Sequence, residues 1–383
     1  MVIAQINVIY GHGSTGKIVQ ALHEEYLRLG QDAYVFYGRG KKNLGKNVIR
    51  TGFLYEAKLW RLIQMFTGNM LGGSPLSTWN LKRHIKKLSP DVVHVQLING
   101  NMCDVFSLLK WLKKHNYKTV LTHHAKLMFT GGCGINLCDK HRTGCGNCPY
   151  KKEVFGFAPD RSKHIIKKLS QLDMDGDWIK HTYVSPWLMS LAKETKLLEK
   201  ADNHAIVNPV DVSIFNPVSS LHALREKPYV FFPTSVHAEL KGWNWIEEVG
   251  RRLGDLGLDL LVTGSGQETF VSPNIIDIGH IADQNLLAEY YRQAKVTLVL
   301  SQFESFSMPV AESLCCGTPV CGFKSGGPES IGIEGACTFV EQGDIDGLIK
   351  AIEAVKDKNI DPEQAKNKYG REAVAKEFLK LYK

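Results

Sequence analysis

The sequence predicts an α/β protein made of two doubly wound domains, each with a parallel sheet covered by helices. Short apolar runs typical of buried strands alternate with helical stretches along the whole chain. These runs fall into two successive sets, and a segment with three prolines, 208–228, separates the two sets. A length of 383 residues suggests two domains, and an ordinary apolar content of 44% disfavours disorder.

The predicted strands define the domain boundaries. Residues 1–208 form the first predicted domain, residues 209–365 the second, and residues 366–383 a C-terminal helix with the option of packing back toward the first domain. Strands of the first domain are predicted at 2–9, 33–37, 92–95, 119–122 and 181–184. Strands of the second domain are predicted at 229–233, 258–263, 275–279, 296–300 and 319–323. Helices are predicted between the strands, for example at 17–29 and 285–293.

Charge and composition narrow the compartment and the partners. A net charge of +8 fits nucleic acid, anionic lipid or a phosphorylated substrate, and equally a basic face that only water covers. Residues 1–10 lack the basic start and the cleavage site of a signal peptide, so we expect them to form the first strand. No run of 18 apolar residues occurs, and nine cysteines without an export signal indicate a reducing compartment. We therefore expect a cytoplasmic protein.

Two carboxylates, Glu304 and Glu312, flank the point where a predicted strand is followed by a helix. The apolar run 296–300 is typical of a buried strand, Ser307 is a suitable N-cap, and Gly317 is a suitable helix stop. Both carboxylates would then point toward the carboxyl edge of a parallel sheet, where open α/β folds bind ligands. Carboxylates accept hydrogen bonds from sugar and ribose hydroxyls. The simpler alternative is a glutamate at a helix start and a second one in water.

Two further segments of the second domain follow predicted strands. Lys241 lies after the first of these strands and just before the next helix, where its ammonium group could neutralise a phosphate. A solvated surface lysine is the alternative. The turn 325–327, with two glycines, follows the strand at 319–323 and permits a close approach of the backbone to a ligand.

The loop 11–17 follows the first strand and matches the start of a phosphate-binding P-loop, G-x-x-x-x-G-K. Ile18 stands where a P-loop needs Ser or Thr for Mg²⁺, and no apolar run ending in Asp supplies a clear second metal residue. A P-loop nucleotidase therefore stays as a rival function. The small residues, Gly13 and Gly16 among them, still allow backbone N–H groups to approach an anion or a polar substrate.

Three other features of the first domain have competing interpretations. Four cysteines spaced C-x4-C-x6-C-x2-C in the glycine-rich loop 131–149 suggest a structural zinc, with disulfides or free thiols as alternatives. A pair of histidines, His123 and His124, ends a predicted strand, where a ligand contact competes with simple packing. The stretch 58–87 mixes apolar and basic residues and fits either a membrane surface or a solvated basic face. The four cysteines are Cys133, Cys138, Cys145 and Cys148.

Taken together, these residues resemble the retaining glycosyltransferases of family 4, which have the GT-B fold of two Rossmann-like domains facing a central cleft. Within that family they resemble most the bacterial polysaccharide branch related to colanic-acid transferases. The resemblance covers nearly the whole chain, and its most specific part is 304–329. Further matching segments are the loop near Gly13, Phe-Thr-Gly at 129–131, the cysteine motif from Thr143, Ser-Pro-Trp at 185–187 and Asn-Pro-Val-Asp at 208–211.

The resemblance implies a role for individual residues. Glu304 would hold hydroxyls of the donor sugar, Glu312 the ribose and Lys241 the diphosphate of a nucleotide sugar. His124 would contact the donor sugar near the reaction centre, so His124, Lys241 and Glu304 are the expected catalytic residues. The other expected donor contacts are Gly13, Gly16, His237, Ser305, Phe306, Ser307 and Met308.

The resemblance also implies a function, which is transfer of a sugar from a nucleotide-diphosphate sugar to a glycan or lipid-linked acceptor in cell-surface polysaccharide biosynthesis. We expect retention of configuration, no cofactor for catalysis and no nucleic-acid partner. A peripheral position on the inner face of the membrane is an open alternative to a purely cytoplasmic one. Val236 replaces a common Arg of the family and Ala125 replaces an Asp, so an inactive nucleotide-sugar-binding protein is a second rival.

Overall fold

The polypeptide divides into two units, each built on its own parallel β-sheet. The computed structural model describes residues 1–40, 45–134, 138–219, 221–234 and 239–383. Unit 1 contains residues 1–206 and 375–383, and unit 2 contains residues 207–374. The first division thus falls beside the predicted boundary at 208/209, and the last residues of the chain group with unit 1.

Seven parallel strands form the sheet of unit 1. In chain order they are β1 (Val2–Asn7), β2 (Asp32–Tyr37), β3 (Val48–Arg50), β4 (Val92–Leu97), β5 (Thr119–His123), β6 (Ile179–Tyr183) and β7 (Asp202–Ala205). Their order across the sheet is β3-β2-β1-β4-β5-β6-β7. The central strand β1 therefore pairs with β2 on one side and β4 on the other, with Ile3 opposite Ala33 and Val92.

Three of the seven helices of unit 1 begin at a capping side chain or a proline. Asp104 accepts a hydrogen bond from Ser107 N at 2.7 Å at the start of the fourth helix, and Ser185 accepts one from Leu188 N at 3.1 Å at the start of the seventh. The helices are α1 (Gly13–Arg28), α2 (Leu54–Thr67), α3 (Pro75–Leu88), α4 (Val105–Lys114), α5 (Lys151–Phe155), α6 (Ser162–Ser170) and α7 (Pro186–Lys193).

Six parallel strands form the sheet of unit 2. They are β8 (Tyr229–Phe232), β9 (Asp259–Val262), β10 (Ile275–Asp277), β11 (Val296–Val299), β12 (Val320–Phe323) and β13 (Cys337–Val340). Their order is β10-β9-β8-β11-β12-β13, so the chain reverses its direction of progress across the sheet between β8 and β11. In open α/β sheets, ligands bind at the carboxyl edge beside such a reversal.

Helices connect the strands of unit 2 and bury apolar faces in its core. Leu348 and Ile352, one turn apart on the helix after β13, are fully buried with Val249 and Leu253 of the helix after β8. The helices are α8 (Ile246–Asp255), α9 (Gln284–Gln293), α10 (Met308–Cys315), α11 (Gly327–Ile331), α12 (Ile345–Val355) and α13 (Glu363–Tyr369). The last helix, α14 (Arg371–Leu381), begins in unit 2 and ends in unit 1. Within the described residues, every helix is too short or too polar to span a bilayer.

The predicted fold class, two parallel α/β sheets, is confirmed. Three strands, β3, β7 and β13, were not predicted, and each of them lies at an edge of its sheet. An edge strand has a neighbour on one side only and lies partly in water, so its sequence need not be an apolar run. The four residues of β7, Asp-Asn-His-Ala, illustrate this polarity. One helix boundary was also wrong, because α1 begins at Gly13 and not at Lys17.

Candidate functional site

Three loops meet at the carboxyl edge of the unit 2 sheet, each directly after one of its central strands. The loop after β8 contains the 3₁₀ turn Glu239–Lys241, and the loops after β11 and β12 contain Gln302 and Ser325. Gln302 N donates to Leu240 O at 2.9 Å, which joins the first loop to the second. Glu304 N donates to Ser325 O at 3.0 Å, which joins the second loop to the third. Backbone hydrogen bonds therefore fix residues from distant parts of the sequence along one edge.

Two glycines allow these loops to come so close. Gly242 has φ +87°, and a Cβ atom there would lie 2.4 Å from the carbonyl oxygen of Leu300. A Cβ atom on Gly327 would lie 2.5 Å from the backbone carbon of Ser305. The sequence predicted that the turn 325–327 permits close approach to a ligand. In the structure this turn approaches the neighbouring loop at Ser305 and Phe306.

Lys241 and Glu304, predicted as catalytic residues, form an ion pair between Nζ and Oε1. Ser301 Oγ donates a hydrogen bond to the same carboxylate oxygen at 3.3 Å. The Lys241 side chain is 34% exposed and that of Glu304 is 22% exposed, so both charges are open to solvent. The pair thus presents a cation suited to phosphate oxygens beside acceptors suited to hydroxyl groups. His237, predicted as a further donor contact, lies outside the residues that the structure describes.

The start of α10 has an unusual backbone. Ser307 immediately precedes the helix with φ 82° and ψ 92°, in the left-handed half of conformational space that disfavours side chains with a Cβ. The predicted N-cap position is right, but the Ser307 side chain makes no capping hydrogen bond, because the turned backbone does not have the extended conformation of a normal cap. Phe306 is buried and contacts Tyr369 edge to face, so it can offer only its backbone to a ligand.

Glu312 is held inside α10 by a residue that the sequence did not single out. Tyr291, fully buried on α9, donates a hydrogen bond from its hydroxyl to Glu312 Oε2 at 3.0 Å. Burial, with a contribution from the Glu312 charge, raises the pKa of Tyr291 well above its usual value, so the hydroxyl stays protonated. Tyr291 therefore orients Glu312. Tyr291 lies in the predicted helix 285–293, but the sequence did not predict that it bonds to Glu312.

The glycine loop of unit 1 does not have the geometry of a P-loop. Helix α1 begins at Gly13, so Gly16 and Lys17 already lie inside the helix. Gly11 N donates to Gly16 O at 3.0 Å, which closes the loop on itself. A Cβ atom on Gly16 would lie 3.2 Å from Cγ1 of Ile9, so close packing against Ile9, which follows β1, explains the glycine at this position. This geometry removes the support for a P-loop nucleotidase.

The two neighbouring histidines at the end of β5 have different surroundings. His123 is fully buried, stacks on Tyr183 at 4.6 Å between ring centroids and donates from Nε2 to His181 Nδ1 at 2.9 Å. It is therefore a core residue. His124, half-buried, donates from Nε2 to Gln96 Oε1 at 3.0 Å. Burial lowers the pKa of His124 to about 4, so its ring is neutral at pH 7.

The four cysteines of the loop 131–149 lie around one small cavity of unit 1 as free thiols. Gly131 N donates to Cys145 Sγ at 3.3 Å, and Gly146 N to Ser162 Oγ at 3.0 Å, so the loop folds around this cavity. Residues 135–137 lie outside the described part of the chain. Among the described residues, no three or more His, Cys, Asp or Glu side chains stand in an arrangement that could hold a metal ion.

The fold of the chain is that of the GT-B glycosyltransferase structures, two Rossmann-like domains with parallel sheets. The chain is similar to sucrose-phosphate synthase from Thermosynechococcus elongatus, with a TM-score of 0.69 and 18% identity over 100% of this chain and 98% of that one. It is also similar to HepE from Anabaena in complex with UDP-glucose, with a TM-score of 0.61 and 12% identity over 100% of this chain and 99% of that one.

The second unit contains a more specific match. Residues 266–373 match the family described as Glycosyl transferases group 1. A curated relative, MMP alpha-(1->4)-mannosyltransferase from Mycolicibacterium hassiacum, is 27% identical over 162 residues, 39% of this chain and 38% of the relative. The chain thus matches less than two fifths of that relative's length. This match within unit 2 agrees with the predicted glycosyltransferase class. Retention, family 4 and the colanic-acid branch stay predictions.

Proposed function

We propose that this protein is a retaining glycosyltransferase of cell-surface polysaccharide biosynthesis. It would move a sugar from a nucleotide-diphosphate sugar to a glycan or lipid-linked acceptor, with no metal needed for catalysis. The observation that supports this proposal most is the solvent-open ion pair of Lys241 and Glu304, formed at the carboxyl edge beside the reversal of strand order. The UDP-glucose complex of HepE, a protein of similar fold, fits a donor of this class.

In the proposed reaction, the bond between the anomeric carbon of the sugar and the diphosphate oxygen breaks. Its electron pair stays on the diphosphate, and Lys241 with the N–H groups at the start of α10 stabilises the added negative charge. The acceptor hydroxyl forms the new C–O bond on the same face of the sugar. The departing phosphate oxygen takes the hydroxyl proton, so no separate base is required.

The carboxylates position the donor in this proposal. Glu304 accepts hydrogen bonds from hydroxyls of the sugar, and Glu312, oriented by Tyr291, accepts those of the ribose. The family resemblance alone implies that His124 contacts the transferred sugar, and the lowered pKa of His124 keeps its ring neutral for that role. A charged imidazolium would repel the positive charge that develops on the sugar ring as the bond breaks.

A donor screen followed by a transfer assay tests this proposal. Nucleotide-diphosphate sugars are ranked by the shift they cause in thermal unfolding, and transfer from the best donor to lipid-linked and free glycan acceptors is then measured. We expect Lys241→Met to lower kcat/KM by roughly two to three orders of magnitude, because it removes a preorganised charge at the leaving group. Lys295→Met, which removes the exposed ion pair with Asp357, should leave the rate unchanged.

Two results would redirect the proposal. Tight donor binding without transfer to any acceptor would leave the inactive nucleotide-sugar-binding protein as the better function. Equal activity of Lys241→Met and Lys295→Met would show that Lys241 does not serve the leaving group.

We also propose a structural zinc in the loop 131–149. Its support is that four thiols, the softest ligands that a protein offers to this metal, line one cavity. The side chains described there do not already form a metal site, so zinc binding would have to move the thiols closer together. Metal analysis of protein purified without chelator should find about one equivalent of zinc, lost in the double variant Cys145→Ser/Cys148→Ser and kept in Cys103→Ser, whose thiol is buried elsewhere in unit 1. Wild-type protein without bound zinc contradicts this proposal.

A further inference from the structure

Helix α2 exposes a stripe of large apolar side chains to solvent. Tyr55, Leu59, Leu62 and Phe66 follow one another at helical spacing, so they share one side of the helix. They are 87%, 56%, 52% and 73% exposed. Scattered apolar residues are normal on a surface, but a continuous stripe of this kind marks an interaction site.

Basic side chains border this stripe. Lys58 and Arg61 are exposed one helical position away from it, on the same open side of α2. On α3, Leu76 and Trp79 are 62% and 60% exposed, and the Arg83 guanidinium lies over the Trp79 ring at 5.7 Å from its centroid. The exposed lysines Lys86 and Lys87 follow at the end of α3. Both helices therefore combine apolar and cationic groups.

The first turns of α2 and α3 adjoin one another. Glu56 accepts hydrogen bonds from Leu76 N and Ser77 N, each at 2.8 Å, so the apolar residues at the start of α3 lie next to the start of α2. Glu56 is the single acidic residue between 53 and 88, against six lysines and arginines. One negative charge against six positive ones leaves this segment with a clear excess of positive charge. We call the exposed sides of α2 and α3 together the helical face.

We propose that the helical face docks unit 1 on the surface of a bilayer rich in anionic lipid. Aromatic and aliphatic side chains at the face would enter the headgroup boundary, while the lysines and arginines would pair with lipid phosphates. A second copy of the face is a poor partner, because two equally basic surfaces would repel one another. The docking does not depend on the proposed activity, but it would bring the enzyme to a lipid-linked acceptor.

Vesicle flotation with the full chain tests the docking. Binding to vesicles of phosphatidylglycerol and phosphatidylcholine should exceed binding to phosphatidylcholine alone, and added salt should weaken it. The variant Lys58→Glu/Arg61→Glu should bind the anionic vesicles at least about tenfold more weakly, since each cation near such a surface contributes roughly fivefold. Its matched control is Lys196→Glu/Lys200→Glu, which reverses two exposed charges elsewhere in unit 1 and should bind nearly as the wild type.

A second variant tests the apolar stripe. Leu59→Glu/Phe66→Glu should also lose binding, whereas Val218→Glu/Val271→Glu, at positions 74% and 92% exposed in unit 2, should keep it. All four variants should melt as the wild type does and bind the nucleotide-sugar donor as well, since none touches the donor site. The proposal is overturned if the wild type does not float, or if the two face variants float like their controls. A dimer in sedimentation that the stripe variant abolishes would assign the face to a second copy instead.

Discussion

The candidate site of unit 2 and the central histidines of unit 1 differ in how far their ionisable groups are exposed to solvent. In unit 2, the candidate site centres on the charged pair Lys241 and Glu304, which stays open to solvent. In unit 1, neutral histidines lie inside the fold: His94 and His181 are fully buried, and His124 bonds to Gln96. The two histidines described in unit 2, His222 and His280, are exposed.

The difference teaches what each arrangement can do. An ion pair in contact with water can exchange one partner for a ligand at small cost, because solvent screens both charges during the exchange. A buried neutral imidazole instead has fixed hydrogen bonds and loses stability if it must take up a proton. The ion pair of unit 2 is therefore suited to exchange with a charged ligand, and unit 1 should be sensitive to acid.

We expect the largest difference between the two units in their loss of stability at acidic pH. Burial lowers the pKa of His181 to about 4 and that of His94 to about 3, from an ordinary value of 6.5. Below pH 6.5, therefore, these histidines bind protons in the unfolded chain but not in the folded chain. Stability should be full above that pH and fall as the pH drops toward about 4, by up to roughly 3 kcal/mol for each histidine.

Thiol labelling during urea unfolding can measure this loss separately in each unit. Cys103 is a buried reporter in unit 1 and Cys321 one in unit 2. We expect the labelling midpoint of Cys103 to fall much more than that of Cys321 on acidification. Equal shifts at the two cysteines would remove the contrast between the units.

Adding a methyl group between the loops of unit 2 should have the next largest effect on stability. In Gly327→Ala the new methyl group meets the backbone of Ser305, which cannot move without displacing Glu304. We expect a loss of about 1–3 kcal/mol in the free energy of unfolding of unit 2, together with weaker donor binding. The control is Gly335→Ala, where φ is +78° but no atom lies within 4 Å. It should lose about 1 kcal/mol and bind donor normally, so equal donor affinity of both variants would contradict this role of Gly327.

Removing one buried hydroxyl from unit 1 should have a smaller effect. The Tyr382 hydroxyl bonds to His94 Nδ1 and to the Tyr26 hydroxyl, and all three side chains are buried. Tyr382→Phe leaves two buried polar groups with one partner fewer, so we expect unfolding to become about 1–2 kcal/mol easier. Tyr55→Phe, at an exposed tyrosine, is the matched control and should unfold as the wild type does. Indistinguishable denaturation midpoints for the two variants would argue against the network.

Particular residues show how far the sequence predicted the site and where it stopped. Lys241 and Glu304 could be found because loops after central strands of a parallel sheet meet at one edge. Their direct contact depends on loop packing at Gly242 and Gly327, and a clash between residues far apart in sequence cannot be seen in sequence alone. The strand period of two implies that His123 and His124 point to opposite sides, but only the fold decides which of them is buried.

Titration of the identified donor and of its nucleoside diphosphate is the most direct test of the central claim, that Lys241 holds the diphosphate and Glu304 the sugar. Lys241→Met should weaken the binding of both ligands by about tenfold or more, because both contain the diphosphate. Glu304→Gln should weaken only the binding of the nucleotide-sugar donor. It should bind the nucleoside diphosphate at least as tightly as the wild type, because Lys241 is released from its carboxylate partner. If Glu304→Gln weakens the binding of both ligands equally, or if Lys241→Met weakens the binding of neither, the assignment of the two residues is contradicted.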